Sequence, residues 1–248
     1  MARIIQKSDQ LTNQYRGKQI GSVCAYAAAL LCLLSVTLVD DWMGDGFIWL
    51  VAAGIGCLVG FILGSKWSRD ARVLQVGIAG ENAVAALVRF LPDSYVVYRN
   101  VPVAREGKKS EIDLLVVGPN GVFVIEAKHW NGTLVGNYTG EDWIQHKVGR
   151  GGTPYSSSHR NPVKQVGRQV DYLAYTLRNH GVRTWVSGLV YLSNPEAEVQ
   201  MRGTPDKAPV FAAAYDGAQE LWRYILNYTP RFPISQQELN RIHAVLSR

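Results

Sequence analysis

Acidic side chains and a lysine interrupt an otherwise apolar stretch at residues 111–128, which reads EIDLLVVGPNGVFVIEAK. Two runs rich in β-branched and aromatic residues flank a Gly-Pro-Asn-Gly segment, a pattern that predicts a β-hairpin. A turn symmetric about the Pro-Asn pair would place Asp113 opposite Glu126, and Glu111 opposite Lys128. The spacing therefore predicts that the charged groups meet at the open end of one hairpin.

This register would put the four charged side chains on one face of the hairpin, because side chains alternate between faces along a strand. Directly opposed Cβ atoms lie roughly 4.5–5.5 Å apart, and like charges that close are destabilising unless a cation lies between them. Mg²⁺ and Mn²⁺ prefer carboxylate oxygens and water. Asp113 and Glu126 are therefore predicted to bind Mg²⁺ or Mn²⁺. The other face would carry Ile112, Leu114, Phe123 and Ile125.

An alternative interpretation keeps the hairpin without a site. Glu111 and Lys128 would then form a cross-strand ion pair. Asp113 would accept hydrogen bonds from a loop, and Glu126 would lie at a solvated strand end. Both runs are apolar on either face, however, and such strands are usually buried, where charges need partners or metals. Burial favours a functional site.

The arrangement of an Asp, a hairpin and Glu-x-Lys resembles the PD-(D/E)xK nucleases. Its wider context resembles one branch of that superfamily, the nuclease-related domain called NERD. The resemblance extends from residue 75 to residue 192. The matching residues are Gly80-Glu81, Ile112-Asp113, Gly118-Pro119, Gly121-Val122-Phe123-Val124-Ile125-Glu126, Lys128, Trp130, Gly132, Trp143, Asn161-Pro162 and Gln165.

The resemblance implies a restriction-endonuclease-like α/β fold, with a mixed sheet and an αβββαβ core. It also implies metal-dependent hydrolysis of phosphodiester bonds in DNA, or in RNA. Asp113 and Glu126 would bind the metal, and Glu81 would support them as a third ligand. Lys128 would stabilise the developing charge or hold the attacking water. Gln165 would face the site and orient water or phosphate.

Simpler roles exist for two of these residues, and one position departs from the family pattern. Glu81 suits the start of a helix for electrostatic reasons alone, and Gln165 could be a surface residue. Glu111 stands where the family usually has Gln. Its extra charge could pair with Lys128 and withhold it from chemistry. The alternative function is therefore a catalytically inactive, membrane-anchored nucleic-acid-binding or scaffold domain of the same fold.

Two uncharged stretches, residues 20–39 and 47–65, precede this region. Each is near the roughly 20 residues that span a bilayer, so the sequence predicts a transmembrane hairpin with a turn over residues 40–46. Basic residues flank the hairpin on its outer sides and only acids lie in the turn, which places both termini in the cytoplasm of an inner-membrane protein. The flanking basic residues are Arg3, Lys7, Arg16, Lys18, Lys66, Arg69 and Arg72.

Gly56, Gly60 and Gly64 recur on one face of the second stretch. Small residues at this spacing allow close helix contact. The predicted partner is the first stretch, through Ala25, Ala28 and Ala29; the alternative is a homo-oligomer.

Residues 144–183 carry seven Lys or Arg and one acid, a net charge of +6 that equals the net charge of the whole chain. Such a stretch fits phosphate backbones, and anionic lipid is the alternative partner. Within it, residues 149–159 are rich in Gly and Ser and predict a mobile loop. The candidate nucleic-acid-binding residues are Lys147, Arg150, Arg160, Lys164 and Arg168.

Hydrophobic spacing predicts the remaining elements. A helix runs through residues 72–91 and begins properly near Gly80; strands cover 95–101, 185–192 and 209–213; helices cover 162–180, 216–227 and 235–246. The predicted organisation is a cytoplasmic segment (1–19), a transmembrane hairpin (20–65), a NERD-like domain (72–192) and a C-terminal α/β extension packed on it (193–248).

Overall fold

The computed structural model describes residues 1–39, 46–149, 151–205, 208–230 and 233–247. They form two compact units. One, the α/β unit, contains residues 1–8 and 79–248; the other, the helical unit, contains residues 9–78. The elements in chain order are β1 (Arg3–Gln6), α1 (Gln10–Val39), α2 (Gly46–Val88), β2 (Val96–Arg105), β3 (Lys108–Gly118), β4 (Gly121–Lys128), β5 (Gly132–Asn137), β6 (Asp142–Val148), β7 (Pro154–Arg160), α3 (Pro162–Asn179), β8 (Val186–Leu192), β9 (Ala197–Arg202), β10 (Val210–Ala212), α4 (Gly217–Asn227) and α5 (Gln236–Leu246).

Helices α1 and α2 are both long and apolar enough to cross a membrane. The predicted spans 20–39 and 47–65 lie within them, and the turn predicted between them falls on residues 40–45, outside the described part. Only 11% of the most apolar window of either helix is buried. A core helix of a water-soluble protein would bury most of that surface, so the exposure fits helices that face lipid.

The three glycines of α2 face α1 within the helical unit. A Cβ at Gly60 would lie 2.7 Å from the carbonyl oxygen of Ala25, and one at Gly56 would lie 2.7 Å from Cys32 Sγ. Gly64 similarly lies under the ring of Tyr26. The glycines therefore serve contact between the two helices of one chain, the first of the two predicted roles.

Helix α2 continues without interruption through Gly77 and Gly80, so the prediction that a helix begins near Gly80 is wrong. A glycine costs a helix only about 1 kcal/mol, which packing readily offsets. Gly80 is needed because a Cβ there would lie 2.7 Å from the Cβ of His129.

The α/β unit contains two sheets. The first sheet has the order β1-β2-β3-β4-β8-β10, and the second has the order β7-β6-β5-β9. Strands β2, β3 and β4 are antiparallel, and β8 returns parallel to β4 after α3. The end of α2 followed by β2, β3, β4, α3 and β8 confirms the αβββαβ core. The predicted strands and helices C-terminal to it are also present, as β10, α4 and α5.

The second sheet and β1 have no counterpart among the predicted elements. The prediction of a mobile loop at residues 149–159 is wrong for its second half, because residues 154–160 form strand β7 beside β6. Serine and glycine are poor strand formers, but pairing to a neighbouring strand outweighs that preference.

Helices cover both faces of the first sheet. Core residues of α3 and α5 share one apolar cluster with Leu115 and Val124, and the end of α2 and α4 share the other with Val116 and Phe123. The C-terminal extension supplies α4, α5 and one strand to each sheet, β10 and β9. Both faces of the central strands are therefore buried.

Candidate functional site

The predicted register of the β3–β4 hairpin is confirmed from Gly118–Gly121 to Leu114–Ile125, where regular pairing ends. Beyond that point β4 keeps its pairing with β8 through Lys128. Asp113 Oδ2 accepts a hydrogen bond from the backbone N–H of Ala127 at 2.8 Å. The open end of the hairpin is therefore where the charged side chains meet.

One expected face assignment is wrong. Ile112 packs with Val101 in the cluster of α3, whereas Leu114 packs in the opposite cluster. The change falls at Asn100, which has a φ of 52° and lies between the β2–β3 pairs of Arg99 and Val101. A positive φ interrupts the alternation of a strand, so Asp113, which lies across from Asn100, belongs to an irregular part of the sheet.

Glu126 is fully buried, and two side chains contact its carboxylate. Its Oε2 accepts a hydrogen bond from Gln169 Nε2 at 2.7 Å, and its Oε1 lies 2.5 Å from Lys128 Nζ. A buried carboxylate needs such partners because burial removes its hydration. Both contacts fix the direction in which Glu126 points.

The charges at this end of the sheet perturb one another. Loss of hydration raises the pKa of Asp113 well above its ordinary value, and the negative charge of Glu126 raises it further. Burial alone would lower the pKa of Lys128, but the carboxylates of Glu126 and Asp113 outweigh burial and raise it. Asp113, Glu126 and Lys128 therefore form one electrostatic group, as the sequence predicted.

Gln169 contacts the candidate site and was not identified by the sequence analysis. It is fully buried on α3, and its Nε2 also donates to the carbonyl oxygen of Glu111 at 2.9 Å. Gln165, the predicted glutamine, lies one turn earlier and is half-buried; no side-chain hydrogen bond of Gln165 is found among the described residues. The available signal was a polar residue between Val166 and Leu173, within the apolar stripe of α3.

Helix α3 is oriented by its N-terminus. Asn161 accepts a hydrogen bond from the N–H of Val163 at 2.8 Å, and Pro162 is the first helical residue. This is a favourable cap. The Asn161 amide also donates to the carbonyl of Gly140 at 2.8 Å, in the turn between β5 and β6. The Asn161-Pro162 motif thus fixes the start of α3, the helix that carries Gln169.

Glu81 is buried, and its charge acts on both Asp113 and Lys128. Asn100 Nδ2 donates to Glu81 Oε2 at 3.0 Å and lies 3.4 Å from Glu111 Oε1. Burial raises the pKa of Glu81, while the Asn100 hydrogen bond and Arg99 oppose that rise. Gln6 of β1 donates to Asn100 Oδ1 at 2.6 Å. Asn100 therefore connects the first residues of the chain with two acidic side chains.

The proposed pairing of Glu111 with Lys128 is not found among the described residues. Lys128 contacts Glu126, and the Glu111 carboxylate contacts Asn100. The carboxylate that pairs with Lys128 is thus that of Glu126.

A divalent cation fits these residues as a two-carboxylate site. Within the described residues, no group of three or more His, Cys, Asp or Glu is close enough to hold a metal. Mg²⁺, however, is often held by one or two carboxylates, with water and substrate oxygens completing its shell. Gln169 Oε1 is buried and accepts no hydrogen bond in the described part, whereas Glu126 Oε1 is in contact with Lys128 Nζ. A buried oxygen without a partner, such as Gln169 Oε1, is a position that a water or a cation would satisfy.

The predicted nucleic-acid-binding residues in the described part are spread over three elements of the α/β unit. Lys147 lies on β6 and Arg160 ends β7, whereas Lys164 and Arg168 lie on α3. Lys164 forms an ion pair with Glu141, and Arg168 is exposed. Arg150 lies outside the described residues.

Residues 76–193 match the family model described as NERD, nuclease-related domain, just under half of the chain. The match supports a nuclease-related function, with nucleic acid as partner and a general dependence on divalent metal.

Two curated proteins share part of the sequence. An uncharacterized protein of Bacillus anthracis is 37% identical over 91 residues, covering 36% of this chain and 41% of that protein. The probable kinase PglW of Streptomyces coelicolor is 33% identical over 101 residues, covering 40% of this chain but 6% of the kinase. The chain thus spans less than half the length of either relative. No solved structure matches the chain.

Proposed function

Residues 76–193 match the nuclease-related domain, and on that premise we propose that the protein is a divalent-metal-dependent nuclease anchored in a membrane. The observation that carries the proposal is the group of interacting charges formed by Asp113, Glu126 and Lys128 at the open end of a buried hairpin. Buried strands rarely carry charges without a function for them.

Each residue has a defined part in phosphodiester hydrolysis. Asp113 and Glu126 would hold Mg²⁺ or Mn²⁺, and a metal bound there supplies activation of water and charge stabilisation at phosphorus. Lys128 would stabilise negative charge that develops on the phosphoryl oxygens. Gln169 orients Glu126 by a hydrogen bond. Glu81 would support the two metal ligands with a third negative charge.

DNA is the preferred substrate in this proposal, with RNA as the alternative. Lys147, Arg160 and Arg168 would contact backbone phosphates. Such contacts give affinity that depends on salt but carry no sequence information.

Membrane anchoring rests on α1 and α2. Residues 1–8 and 79–248 belong to one unit, so the chain leaves and re-enters the same unit around the two apolar helices. An even number of crossings is consistent with this, and the basic residues that flank the helices support a cytoplasmic α/β unit in an inner-membrane protein. A reporter fused after Arg248 should be cytoplasmic; an external C-terminus would contradict this topology.

A second function is favoured by one observation. Because Lys128 already neutralises Glu126, the fold could persist without metal as an inactive nucleic-acid-binding or scaffold domain. The nuclease requires Asp113 and Glu126 to bind metal, whereas the scaffold does not.

The test is a cleavage assay on the full-length protein in detergent, with labelled DNA and RNA and with Mg²⁺, Mn²⁺ or chelator. The full chain is required because β1 precedes the helical unit and pairs with β2 in the first sheet. Cleavage that needs metal and disappears in Asp113→Asn supports the nuclease. Nucleic-acid binding without cleavage or metal binding at millimolar concentration would favour the scaffold.

A further inference from the structure

We propose that one face of the second sheet binds single-stranded nucleic acid and leads it to Lys128. We name this face the strand track; it consists of Lys147 on β6 with Tyr155, Ser157 and His159 on β7. The inference rests on the proposed function and adds a substrate class to it, namely unpaired DNA or RNA rather than duplex.

Strand register places the members of the track on one face. Trp143 pairs with His159, Gln145 with Ser157, and Lys147 with Tyr155, and residues that are directly opposed share a face. Trp143 and Gln145 are buried, so the accessible part of this face is its β7 side together with Lys147. Hydrogen bonds agree with this assignment: Gln145 Oε1 contacts His159 Nε2 at 2.8 Å. The pair formed by His146 and Ser156 lies on the opposite face.

Trp130 connects the track to the candidate site. Its ring stacks on His159, with centroids 4.7 Å apart and planes inclined by 26°. Lys128 Nζ lies 5.8 Å from the centroid of the same Trp130 ring. Burial lowers the pKa of His159, and the charges of Lys147 and Lys128 lower it further. The positive charges of both lysines therefore disfavour protonation of the His159 imidazole.

The chemistry of the track suits bases as well as phosphates. Tyr155 is 51% exposed, and no ring contact of Tyr155 is found among the described residues. Lys147 lies directly opposite it on the neighbouring strand, and none of the residues at positions 143, 145, 147, 155, 157 and 159 is acidic. An exposed aromatic ring beside a basic side chain suits single-strand binding, because an unpaired base can stack on the ring while the base's phosphate meets the positive charge.

The distance along the track exceeds a single base. Tyr155 and His159 are four residues apart on β7, which corresponds to about 13 Å at roughly 3.3 Å per residue. A base stacked on Tyr155 would therefore lie more than one nucleotide away from a phosphate at Lys128, with Lys147 beside the stacked nucleotide. Duplex DNA would offer phosphates to the same lysines but no free base for Tyr155.

The experiment measures binding of the full-length protein in detergent, with chelator present so that cleavage does not interfere. The probes are a fluorescent oligothymidylate and a duplex of equal length. Tyr155→Ala should weaken single-strand binding about 5- to 150-fold, the range for loss of one base stack, and should change duplex binding less than about twofold. Tyr155→Phe should retain single-strand affinity, which shows that the ring rather than the hydroxyl matters and that the variant folds.

Two controls make the result specific. Tyr215 is exposed to a similar degree, 56%, in the turn before α4, and Tyr215→Ala should leave both affinities unchanged. Lys147→Ala should lower the salt slope of single-strand binding by about 0.7.

Equal losses for duplex and single strand, or no loss in Tyr155→Ala, would overturn the strand track. That outcome leaves metal-dependent cleavage unaffected and so rejects the track alone. Conversely, a Tyr155-dependent preference for single strands in a protein that never cleaves would keep the track and reject the nuclease.

Discussion

The two sheets of the α/β unit differ in where their charged residues lie and in how exposed those residues are. In the first sheet, residues 114–118 of β3, residues 121–126 of β4 and all of β8 are buried, and the charged side chains of β3 and β4 lie at one end, from Glu126 outward. In the second sheet, β6 alternates between buried and exposed positions, β7 and β9 are mostly half-buried or exposed, and charges such as Lys147 and Glu198 lie along the strands.

A charge in the first sheet must be compensated by neighbours, because burial removes its hydration. A charge in the second sheet is hydrated and can be added or lost at little cost. We therefore expect loss of a charge in the first sheet to affect cleavage, and loss of a charge in the second sheet to affect only the affinity for nucleic acid. Matched substitutions in the two sheets test this difference.

The largest effect is expected for Glu126→Gln, which keeps the shape and removes the charge. Cleavage should fall about 1,000-fold, in the range for loss of one electrostatic contribution to a transition state. The matched control is Glu198→Gln on β9, where the carboxylate bonds Thr133 at the surface. Cleavage by the control should stay within about twofold, and equal losses in both variants would remove the distinction between the sheets.

A large effect on stability is expected for Lys128→Met in the metal-free protein. Glu126 would lose its cationic partner while buried, which costs about 3 kcal/mol. Added Mn²⁺ should restore much of the lost Tm by replacing the ammonium. Lys147→Met on β6 should change the unfolding free energy by no more than about 0.5 kcal/mol. Thermal unfolding with and without Mn²⁺ measures both, and a stable Lys128→Met protein indifferent to Mn²⁺ would argue against the charge cluster.

A smaller effect separates two glutamines of α3. Gln169→Ala should lower kcat about 10- to 100-fold, as expected for a residue that orients a metal ligand. It should leave nucleic-acid affinity unchanged, and Gln169→Glu should not rescue it because a second acid would repel Glu126. Gln165→Ala should have the weaker effect. The reverse order would restore the sequence-based assignment of Gln165.

The smallest effect concerns pH. Because the pKa of Asp113 is raised above its ordinary value of 3.8, the folded protein keeps this proton after the unfolded chain has released it. The resulting stability is present below pH 3.8 and is lost as pH rises through the raised pKa. The Tm of the metal-free protein should decline over that window, and Asp113→Asn should flatten the decline. Asp142→Asn, at an exposed position of β6, should leave it unchanged.

Local patterns in the sequence were sufficient for several parts of the molecule. The register of the β3–β4 hairpin follows from its Gly-Pro-Asn-Gly turn, because turn geometry and strand period are local properties. The apolar spans and the start of α3 at Pro162 follow from local sequence in the same way.

Tertiary structure alone decided which partners these residues have. Gln169 reaches Glu126 across 43 residues, and Gln6 reaches Asn100 across 94. Neither contact leaves a periodic signal, because each depends on how helices and strands pack rather than on neighbouring residues. The second sheet, β1 and the choice of Glu126 over Glu111 as the partner of Lys128 were settled in the same way, since pairing between distant strands outweighs the weak preferences of serine and glycine.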